Sequence, residues 1–393
     1  MTKCFIDERV EIRTDFPCGN GSGIRFADGE YHVELEREPG EHAFGGKSYY
    51  FCVAVRNRQS HPQALTIRLQ GAMDGQFGAG TREVVLRQCA SPEALFPVDT
   101  SIAVAEWSHL DPSLIEAMPD HDAIRVTADL PEADSETPFL VLSNYHWHPY
   151  ASLVPWLQCV ADQPAASVTS CGRSAAGVEL PCIEIGTPGA PCIVMAQTPQ
   201  PSEMGTWACR AIVDYLLSPA TEAAVMRQRY RFVILPETNP DGRAAGIGVS
   251  HPTGRMPYFE GTLTIEKPDE ALPEMRAVWE LLCRERPRHF VEWHSNHWDR
   301  RPGHVLLRIR PELLDDPEVR RHWQAIDEAL LQLPDTYHGN WTGWDEGMYQ
   351  CTLVFQSVVR LGVIAHMIKQ HDKFPLPQSQ AHAIACLRVL TNL

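Results

Sequence analysis

The pattern of hydrophobic residues changes near residue 150, and this change limits the folds that the chain can adopt. Up to that point, short runs of alternating hydrophobic and polar residues are separated by Gly, Pro, Asp and Asn. The runs cover residues 31–36, 48–55, 64–69, 82–86, 123–128 and 139–142. Such runs are typical of β-sandwich strands. We therefore predict an all-β sandwich domain over residues 1–150.

Beyond residue 150, apolar runs alternate with longer stretches of helical periodicity. The predicted strands cover residues 192–197, 231–236, 288–294, 304–309 and 351–356. The predicted helices cover residues 204–218, 269–286, 316–333 and 378–390. This alternation indicates a largely buried sheet with helices on both faces. We therefore predict an α/β domain, with α/β/α layers around a mixed sheet, over residues 151–393.

The charge balance excludes some classes of partner. The chain has 34 Lys and Arg against 50 Asp and Glu, a formal net charge of −16, which disfavours nucleic acids and anionic membranes. No apolar run approaches the roughly 18 residues of a membrane span, and residues 1–9 lack the apolar stretch of a signal peptide. Twelve scattered cysteines form no CxxC pair, as expected of buried thiols in a reducing compartment. We expect a cytoplasmic protein with no nucleic-acid or membrane partner.

Polar residues follow three of the predicted strands. Gln200 and Glu203 come after the run 192–197, Asn239-Pro240-Asp241-Gly242 follows 231–236, and His294 ends 288–294. In open α/β sheets, ligands bind beyond the carboxyl ends of the strands. Taken singly, these residues also fit a helix N-terminus, a turn and a packed histidine. Their order along the chain is more informative than any one of them.

That order resembles the M14 metallocarboxypeptidases. The series is Gln-Pro-Ser-Glu at 200–203, Asn-Pro-Asp-Gly at 239–242, a Pro-Glu-x-x-Ala-Val segment at 273–278, and Glu-Trp-His at 292–294. Residues 172–180 are similar to the GxSxxGRxL segment of that family, and residues 352–355 to its strand that carries the general base. A β-rich N-terminal domain is similar to the cytosolic carboxypeptidase subgroup. The resemblance covers nearly the whole chain and implies a carboxypeptidase-like fold for the α/β domain.

The resemblance implies hydrolysis of a C-terminal peptide bond by zinc, which two His and one Glu hold while a second Glu acts as the base. Carried over, the metal ligands are Gln200, Glu203 and His294, so an amide replaces one imidazole. An amide oxygen is a poorer donor to zinc. We therefore expect zinc to bind weakly or not at all.

The general base is also replaced. A gapless alignment puts Val354 where the family has Glu. Gln356, two residues on, shares its face of the predicted strand, and Glu346 or its neighbour Asp345 could supply a carboxylate from the segment before it. The catalytic candidates are therefore Gln356 and Glu346.

Other positions could compensate for these losses. The family's DLNR motif is absent, so Asn239, Arg243 and Arg255 are the candidates for binding a substrate carboxylate. The histidines that could supply a metal ligand are His146, His148, His251 and His297. The other arginines that could attract an acidic peptide are Arg300, Arg301 and Arg308.

Three functions are compatible with these residues. The favoured one is a zinc-carboxypeptidase-like hydrolase of a C-terminal peptide or related amide bond, with altered or reduced activity. The second is an inactive pseudoenzyme that binds a peptide tail or carboxylate ligand. The third is a biosynthetic enzyme with a metal-free pocket. All three imply a peptide or small carboxylate or amide as the partner, and the sequence leaves the oligomeric state open.

Overall fold

The computed structural model describes most of the chain. The described residues are 2–16, 18–40, 50–71, 84–95, 107–118, 123–146, 150–201, 204–296, 303–307, 311–339, 350–371 and 374–392. They cluster into two compact units, one comprising Met1–Pro155 with Gly242–Arg255, the other Trp156–Asp241, Met256–Asn296 and Arg301–Leu393. The segment Gly242–Arg255 thus belongs to the first unit although it follows part of the second in sequence. The predicted division at residue 150 stays a prediction.

The first unit contains two sheets. In spatial order, the six-stranded sheet consists of β1 (Cys4–Ile6), β2 (Val10–Arg13), β5 (Cys52–Asn57), β11 (Phe139–Ser143), β7 (Val85–Cys89) and β8 (Ser108–His109). The five-stranded sheet consists of β3 (Ser22–Ala27), β4 (Glu30–Glu34), β6 (Gln63–Gln70), β10 (Ala123–Leu130) and β9 (Ile115–Met118). Each of the six runs predicted in this part of the chain overlaps a strand, and residues 48–49 and 82–83 of two of these runs lie outside the described residues.

Both sheets contribute to one hydrophobic core. Along β6 every second residue is buried, and Leu65 and Ile67 share the core with Val53 and Leu140 of the other sheet. Alternate residues of a strand point to opposite faces, so the apolar halves of both sheets can meet. The predicted all-β sandwich is therefore confirmed.

The second unit is built on one mixed sheet of eight strands. In spatial order these are β12 (Ala166–Arg173), β13 (Glu179–Gly186), β15 (Arg231–Leu235), β14 (Cys192–Gln197), β16 (His289–Asn296), β19 (Ile364–His371), β17 (His304–Leu307) and β18 (Thr336–His338). The central strands β15, β14, β16 and β19 are parallel, whereas β13 and β17 join them antiparallel. The predicted mixed sheet is confirmed.

Helices cover both faces of this sheet. The helices of the described residues are α1 (Tyr150–Ala161), α2 (Gly205–Leu217), α3 (Thr221–Arg229), α4 (Pro240–Ala244), α5 (Gly261–Glu266), α6 (Pro273–Glu285), α7 (Pro317–Leu330), α8 (Leu353–Leu361) and α9 (Leu376–Asn392). Of these, α1 and α4 are divided between the two units. Ser295 accepts a hydrogen bond from Met204 just before α2, and Gln370 donates one to Ser379 in α9. Helix α8 packs on the sheet at β19 and β16. None of the helices in the described ranges has the length and hydropathy of a membrane span.

The predicted strand at 351–356 is wrong, because this segment begins helix α8. Thr352 caps the helix by accepting a hydrogen bond from the backbone N–H of Phe355 at 3.2 Å, and Gly362 ends it in the left-handed region with φ 65°. Such caps satisfy backbone groups that a helix end leaves without partners. The strand beside β16 is instead β19, which no predicted element covered.

Candidate functional site

The central parallel strands bring three of the candidate residues to one edge of the sheet. Because β14, β15, β16 and β19 run in the same direction, their carboxyl ends meet at this edge. Gln200 follows β14, Asn239 follows β15, and His294 lies near the end of β16. The structure therefore groups the ends of the segments that the sequence singled out.

Backbone contacts hold the loop that carries Gln200. The backbone N–H of Thr198 donates to the carbonyl of Trp293 at 2.9 Å, and Asn239 Nδ2 donates to the carbonyl of Pro199 at 3.0 Å. Thr238 Oγ1 donates to the carbonyl of Gln197 at 2.9 Å. Asn239 is fully buried, so the contact seen for this substrate-binding candidate is one that positions the loop.

Gln200 itself is 5% exposed, and its Oε1 atom has no hydrogen-bond partner in the described part of the chain. The same holds for Gln197 Oε1 and Thr198 Oγ1. A buried polar atom without a partner is costly. Three such oxygens in one short loop indicate a place for a ligand that supplies hydrogen-bond donors or a cation.

His294 is 3% exposed and faces Tyr258. The two rings meet edge to face, with their centroids 5.2 Å apart. His294 Nδ1 lies 2.7 Å from the backbone nitrogen of Ser295 and 2.8 Å from the carbonyl oxygen of the same residue. The backbone of Ser295 therefore holds the imidazole ring in place.

Lys369 lies beside His294 and was missed in the sequence. In the parallel pair β16–β19 these two residues are direct partners, and Lys369 is 3% exposed. Partners in a parallel pair project to the same face of the sheet. The available signal is a lysine directly after the apolar run Met367-Ile368; the strand predicted at 351–356 leaves residues 364–371 without a predicted element.

Gln356 does not share a strand face with Val354, because both lie in helix α8, where residues two apart point in different directions. Gln356 Nε2 donates to the carbonyl of Gln350 at 2.7 Å and to Thr262 Oγ1 at 3.3 Å. Val354 is fully buried. The contacts of Gln356 are those of a residue that joins α8 to its surroundings.

Several candidates lie outside the described residues. They are Glu203, Glu346, Asp345, His148, His297, Arg300, Arg301 and Arg308. His146 is described and buried in the first unit, where its ring meets those of Trp107 and His109 edge to face.

The candidate arginines Arg243 and Arg255 belong to the first unit. Arg243 is buried in α4. Arg255 closes a turn in which its carbonyl accepts from the N–H of His251 at 2.9 Å. His251 Nδ1 is 2.8 Å from Thr253 Oγ1, so the turn holds this imidazole.

A buried carboxylate, Glu38, anchors the segment between these arginines. It accepts hydrogen bonds from the N–H of Gly248 and from Ser250 Oγ, both at 2.7 Å. Burial raises the pKa of Glu38, while these hydrogen bonds oppose the rise. Sequence reasoning gave no indication of this contact, since more than 200 positions separate the partners.

Two of the sequence motifs contact each other within the second unit. Asp241 of Asn-Pro-Asp-Gly accepts from Ser174 Oγ at 2.5 Å and from the backbone N–H of Ala176 at 2.8 Å. Ser174 and Ala176 belong to the segment 172–180. Asp241 therefore ties the turn after β15 to the β12–β13 connection, which explains why both motifs occur together.

The described residues fit a zinc ion poorly. Gln200 Oε1 could coordinate a cation, but an amide oxygen suits harder ions better than zinc. The ammonium group of Lys369 would repel a divalent cation placed beside His294. These two features distinguish the site from one made of two imidazoles and a carboxylate.

Comparisons with known proteins agree with the fold. The family model of zinc carboxypeptidases, peptidase M14, matches residues 153–255. A metallo-carboxypeptidase from Burkholderia cenocepacia is 15% identical, with 98% of each chain covered and a TM-score of 0.76. A metallo-carboxypeptidase from Pseudomonas aeruginosa, solved in complex with (2-guanidinoethylmercapto)succinic acid, is 14% identical over 97% of this chain and 98% of that chain, with a TM-score of 0.76. No curated protein sequence matches significantly. The comparisons therefore show a carboxypeptidase-like fold, and the zinc carboxypeptidase family model matches part of the chain.

Proposed function

We propose that this protein is a cytoplasmic, carboxypeptidase-like hydrolase of a C-terminal peptide or related amide bond, with altered or reduced activity. The proposal places it in the cytosolic carboxypeptidase-like subgroup. The observation that carries it is the buried Oε1 atom of Gln200, which has no hydrogen-bond partner in the described part of the chain and stands where the family has an imidazole. In this proposal the site still binds a ligand, but it binds zinc more weakly than a site with two imidazoles does.

The metal set in this proposal is Gln200, Glu203 and His294. A zinc ion bound there would polarise the scissile carbonyl and acidify a water. Of this set, His294 supplies the one imidazole, and the backbone of Ser295 holds its ring. Because the amide donates weakly to zinc, we propose that the ion is held weakly or is absent.

The catalytic base is the second altered part. General acid–base assistance contributes roughly 10² to 10⁴ in rate, so replacement of the family's general-base Glu predicts a large loss of rate. Gln356 has no basic atom, and its amide donates to Thr262 of α5 and to the carbonyl of Gln350 before α8. Glu346 remains the proposed carboxylate that could accept a proton.

The proposed substrate is a peptide or small amide that carries a carboxylate. Arg243, Arg255 and Asn239 are the proposed groups that bind it, since arginine pairs with carboxylates through two parallel hydrogen bonds. A chain with a net charge of −16 would attract an acidic peptide only through such a local cluster of cations.

Restoring the imidazole tests the metal part of the proposal. Gln200→His should raise zinc affinity at least tenfold, because imidazole is the stronger donor to zinc. Zinc content after purification without chelator, and titration of the apoprotein, measure this. Gln200→Asn, which keeps an amide, is the matched control. Wild-type protein that already binds one zinc per chain as tightly as the histidine variant would contradict the proposal.

Turnover of a peptide library tests the hydrolase part. We expect slow release of C-terminal residues or hydrolysis of a related amide, and loss of that product in His294→Ala and Glu203→Ala. If the wild-type protein forms no product with added zinc but still binds members of the library, the hydrolase proposal fails.

A second candidate function is binding without hydrolysis, either as a pseudoenzyme or as a biosynthetic enzyme with a metal-free pocket. The buried lysine beside His294 favours it, because a fixed positive charge can neutralise a carboxylate without any metal. A ligand that co-purifies with metal-free protein would support this candidate over hydrolysis.

A further inference from the structure

The buried end of β19 carries a lysine that lies outside the metal and catalytic sets proposed above. All eight residues of β19 are buried, and Lys369 is the one Lys, Arg, Asp or Glu among them. Lys is almost never fully buried unless it is paired. Its position directly opposite His294 on β16 and opposite Val305 on β17 puts the ammonium group on the face of the sheet that His294 occupies.

Contacts of neighbouring residues identify this face. Tyr258 meets the ring of His294, and its hydroxyl lies 3.1 Å from Met367 Sδ. Met367 is two residues before Lys369 and therefore projects to the same side of the strand. Ser295 and Gln370, which are also direct partners, contact α2 and α9 on the opposite face. Lys369 thus shares its face with His294, Met367 and Tyr258, and also with the buried carboxylate Glu292, the direct partner of Met367 two residues before His294.

A positive charge at this place changes which ligand the edge can hold. A divalent cation beside His294 would be repelled, and more strongly in a buried site than in water. A carboxylate would be attracted, and its hydrogen bonds with an ammonium are among the stronger ones in proteins. An ammonium has three donors, so an intramolecular contact of Lys369 does not exhaust its capacity.

The acceptors at the other end of the site complement this cation. Thr198 Oγ1 and Gln200 Oε1 are buried without partners in the described part of the chain and need donors. Strands β14 and β19 flank β16, so their backbones are about 10 Å apart. The extended end of a peptide offers N–H donors and a carboxylate over such a length, because each residue spans roughly 3.3 Å, and an acylated amino acid offers one N–H closer to its carboxylate.

We propose that Lys369 is a ligand-binding residue whose ammonium group binds the carboxylate of an N-acylated amino acid or peptide end, and that it replaces a divalent cation beside His294. The inference rests on the proposed function, which takes a carboxylate-bearing peptide or amide as the ligand. It assigns the carboxylate to Lys369 and not to Arg243 or Arg255.

Binding of matched peptide libraries tests the assignment. The probes are acetylated tripeptides with a free C-terminal carboxylate and the same tripeptides as C-terminal amides, screened by thermal shift against full-length protein. The best free-carboxylate probe is then measured by calorimetry. We expect Lys369→Met to weaken this probe at least tenfold, the loss typical of a charge-assisted hydrogen bond, and to leave the weaker amide probe unchanged.

Two variants control for folding and for charge. Lys369→Arg keeps the cation and should bind the free-carboxylate probe more tightly than Lys369→Met does. Lys267→Met removes an exposed lysine that pairs with Glu270, and should bind like the wild-type protein. If Lys369→Met does not fold, the wild-type protein and Lys369→Arg still test the role of the charge. Both should bind the free-carboxylate probe more tightly than the matching amide probe.

Zinc titration provides an independent arm. Lys369→Glu should bind zinc at least tenfold more tightly than the wild-type protein, because it exchanges a repulsive charge for an attractive one. Equal zinc affinities in the two proteins would overturn the claim that Lys369 replaces the cation.

The outcomes separate this inference from the proposed function. If the wild-type protein binds free-carboxylate probes and Lys369→Met binds them equally well, the assignment to Lys369 is wrong while the proposed function stands. If the wild-type protein binds neither library, the proposed function fails and the inference with it.

Discussion

Among the single residues, the hydrogen bonds of buried polar groups distinguish the candidate site from the contacts that hold loops in place. The buried side-chain oxygens of Gln197, Thr198 and Gln200 have no hydrogen-bond partner in the described residues and so indicate a ligand site. The carboxylates of Asp241 and Glu38, by contrast, accept hydrogen bonds from backbone N–H groups. A buried carboxylate whose hydrogen bonds are made stabilises a loop, whereas a buried amide oxygen without a partner is stabilised when a ligand donates a hydrogen bond to it.

Glu38 yields a prediction about stability. Glu38→Ala should lower the free energy of unfolding by about 3 kcal/mol, because the N–H of Gly248 and the hydroxyl of Ser250 lose their acceptor in a buried place. Urea denaturation measures the change. Glu38→Gln keeps an acceptor oxygen and should lose less, and equal stabilities of the alanine variant and the wild-type protein would contradict the role.

Hydrogen exchange would localise that effect. The amides of Gly248 and Ser250 should exchange faster in Glu38→Ala, while amides of β14 in the second unit should keep their rates. Uniform acceleration in both units would show global destabilisation and not a loosened segment.

Among the helices and strands, the fold of the segment 350–371 determines which residue lies beside His294. The run Leu353-Val354-Phe355 at the start of α8 has no polar residue inside it. A short apolar run of this kind does not distinguish the helical period of 3.6 residues from the strand period of 2, so it predicts a strand as readily as a helix. The capping residues Thr352 and Gly362 were present as helix signals. Once the segment is helical, the neighbour of β16 becomes β19 and the partner of His294 becomes Lys369.

Gly362 provides a prediction at this scale. Its φ is 65°, and a Cβ added there would meet nothing within 4 Å, so Gly362→Ala tests backbone conformation alone. We expect a loss of about 1 kcal/mol in the free energy of unfolding, measured by urea denaturation. Gly362→Asn should lose less because Asn tolerates the left-handed region, and the proposal of a strained C-cap would be refuted by equal losses in the two variants.

At the scale of the whole molecule, the second unit buries several histidines in neutral form. Burial lowers the pKa of His289 and His304 to about 2 and of His366 and His382 to about 3. His304 and His382 stack with their centroids 3.6 Å apart, which further disfavours two protonated rings. The helices that enclose them therefore pack on uncharged imidazoles.

These histidines predict a loss of stability in acid. Above pH 6.5 the rings are neutral in both the folded and the unfolded chain, so stability is complete. Below pH 6.5 the unfolded chain binds protons that the folded chain excludes, and each histidine costs up to about 1.4 kcal/mol per pH unit until its folded pKa is reached. Urea midpoints at pH 7.5, 6.5 and 5.5 measure the slope.

A variant of one buried ring provides the control. His382→Gln should reduce the slope by about one proton, whereas His61→Gln, at an exposed position of the first unit, should leave it unchanged. A midpoint that is flat from pH 7.5 to 5.5 in the wild-type protein would contradict the neutral buried histidines.

Local sequence patterns predict most of the strands and helices of this chain and the family that its motifs resemble. Alternation in β6 and the Pro-led helices α6 and α7 are local patterns that need no distant partner. Gln200, Asn239 and His294 can be placed at one sheet edge from the sequence because each lies at or just after the end of a recognisable strand. The position of Lys369 beside His294 and the contact of Glu38 with Gly248 appear only in the folded chain. Strand order and long-range hydrogen bonds depend on which distant surfaces pack together, and no local periodicity encodes that choice.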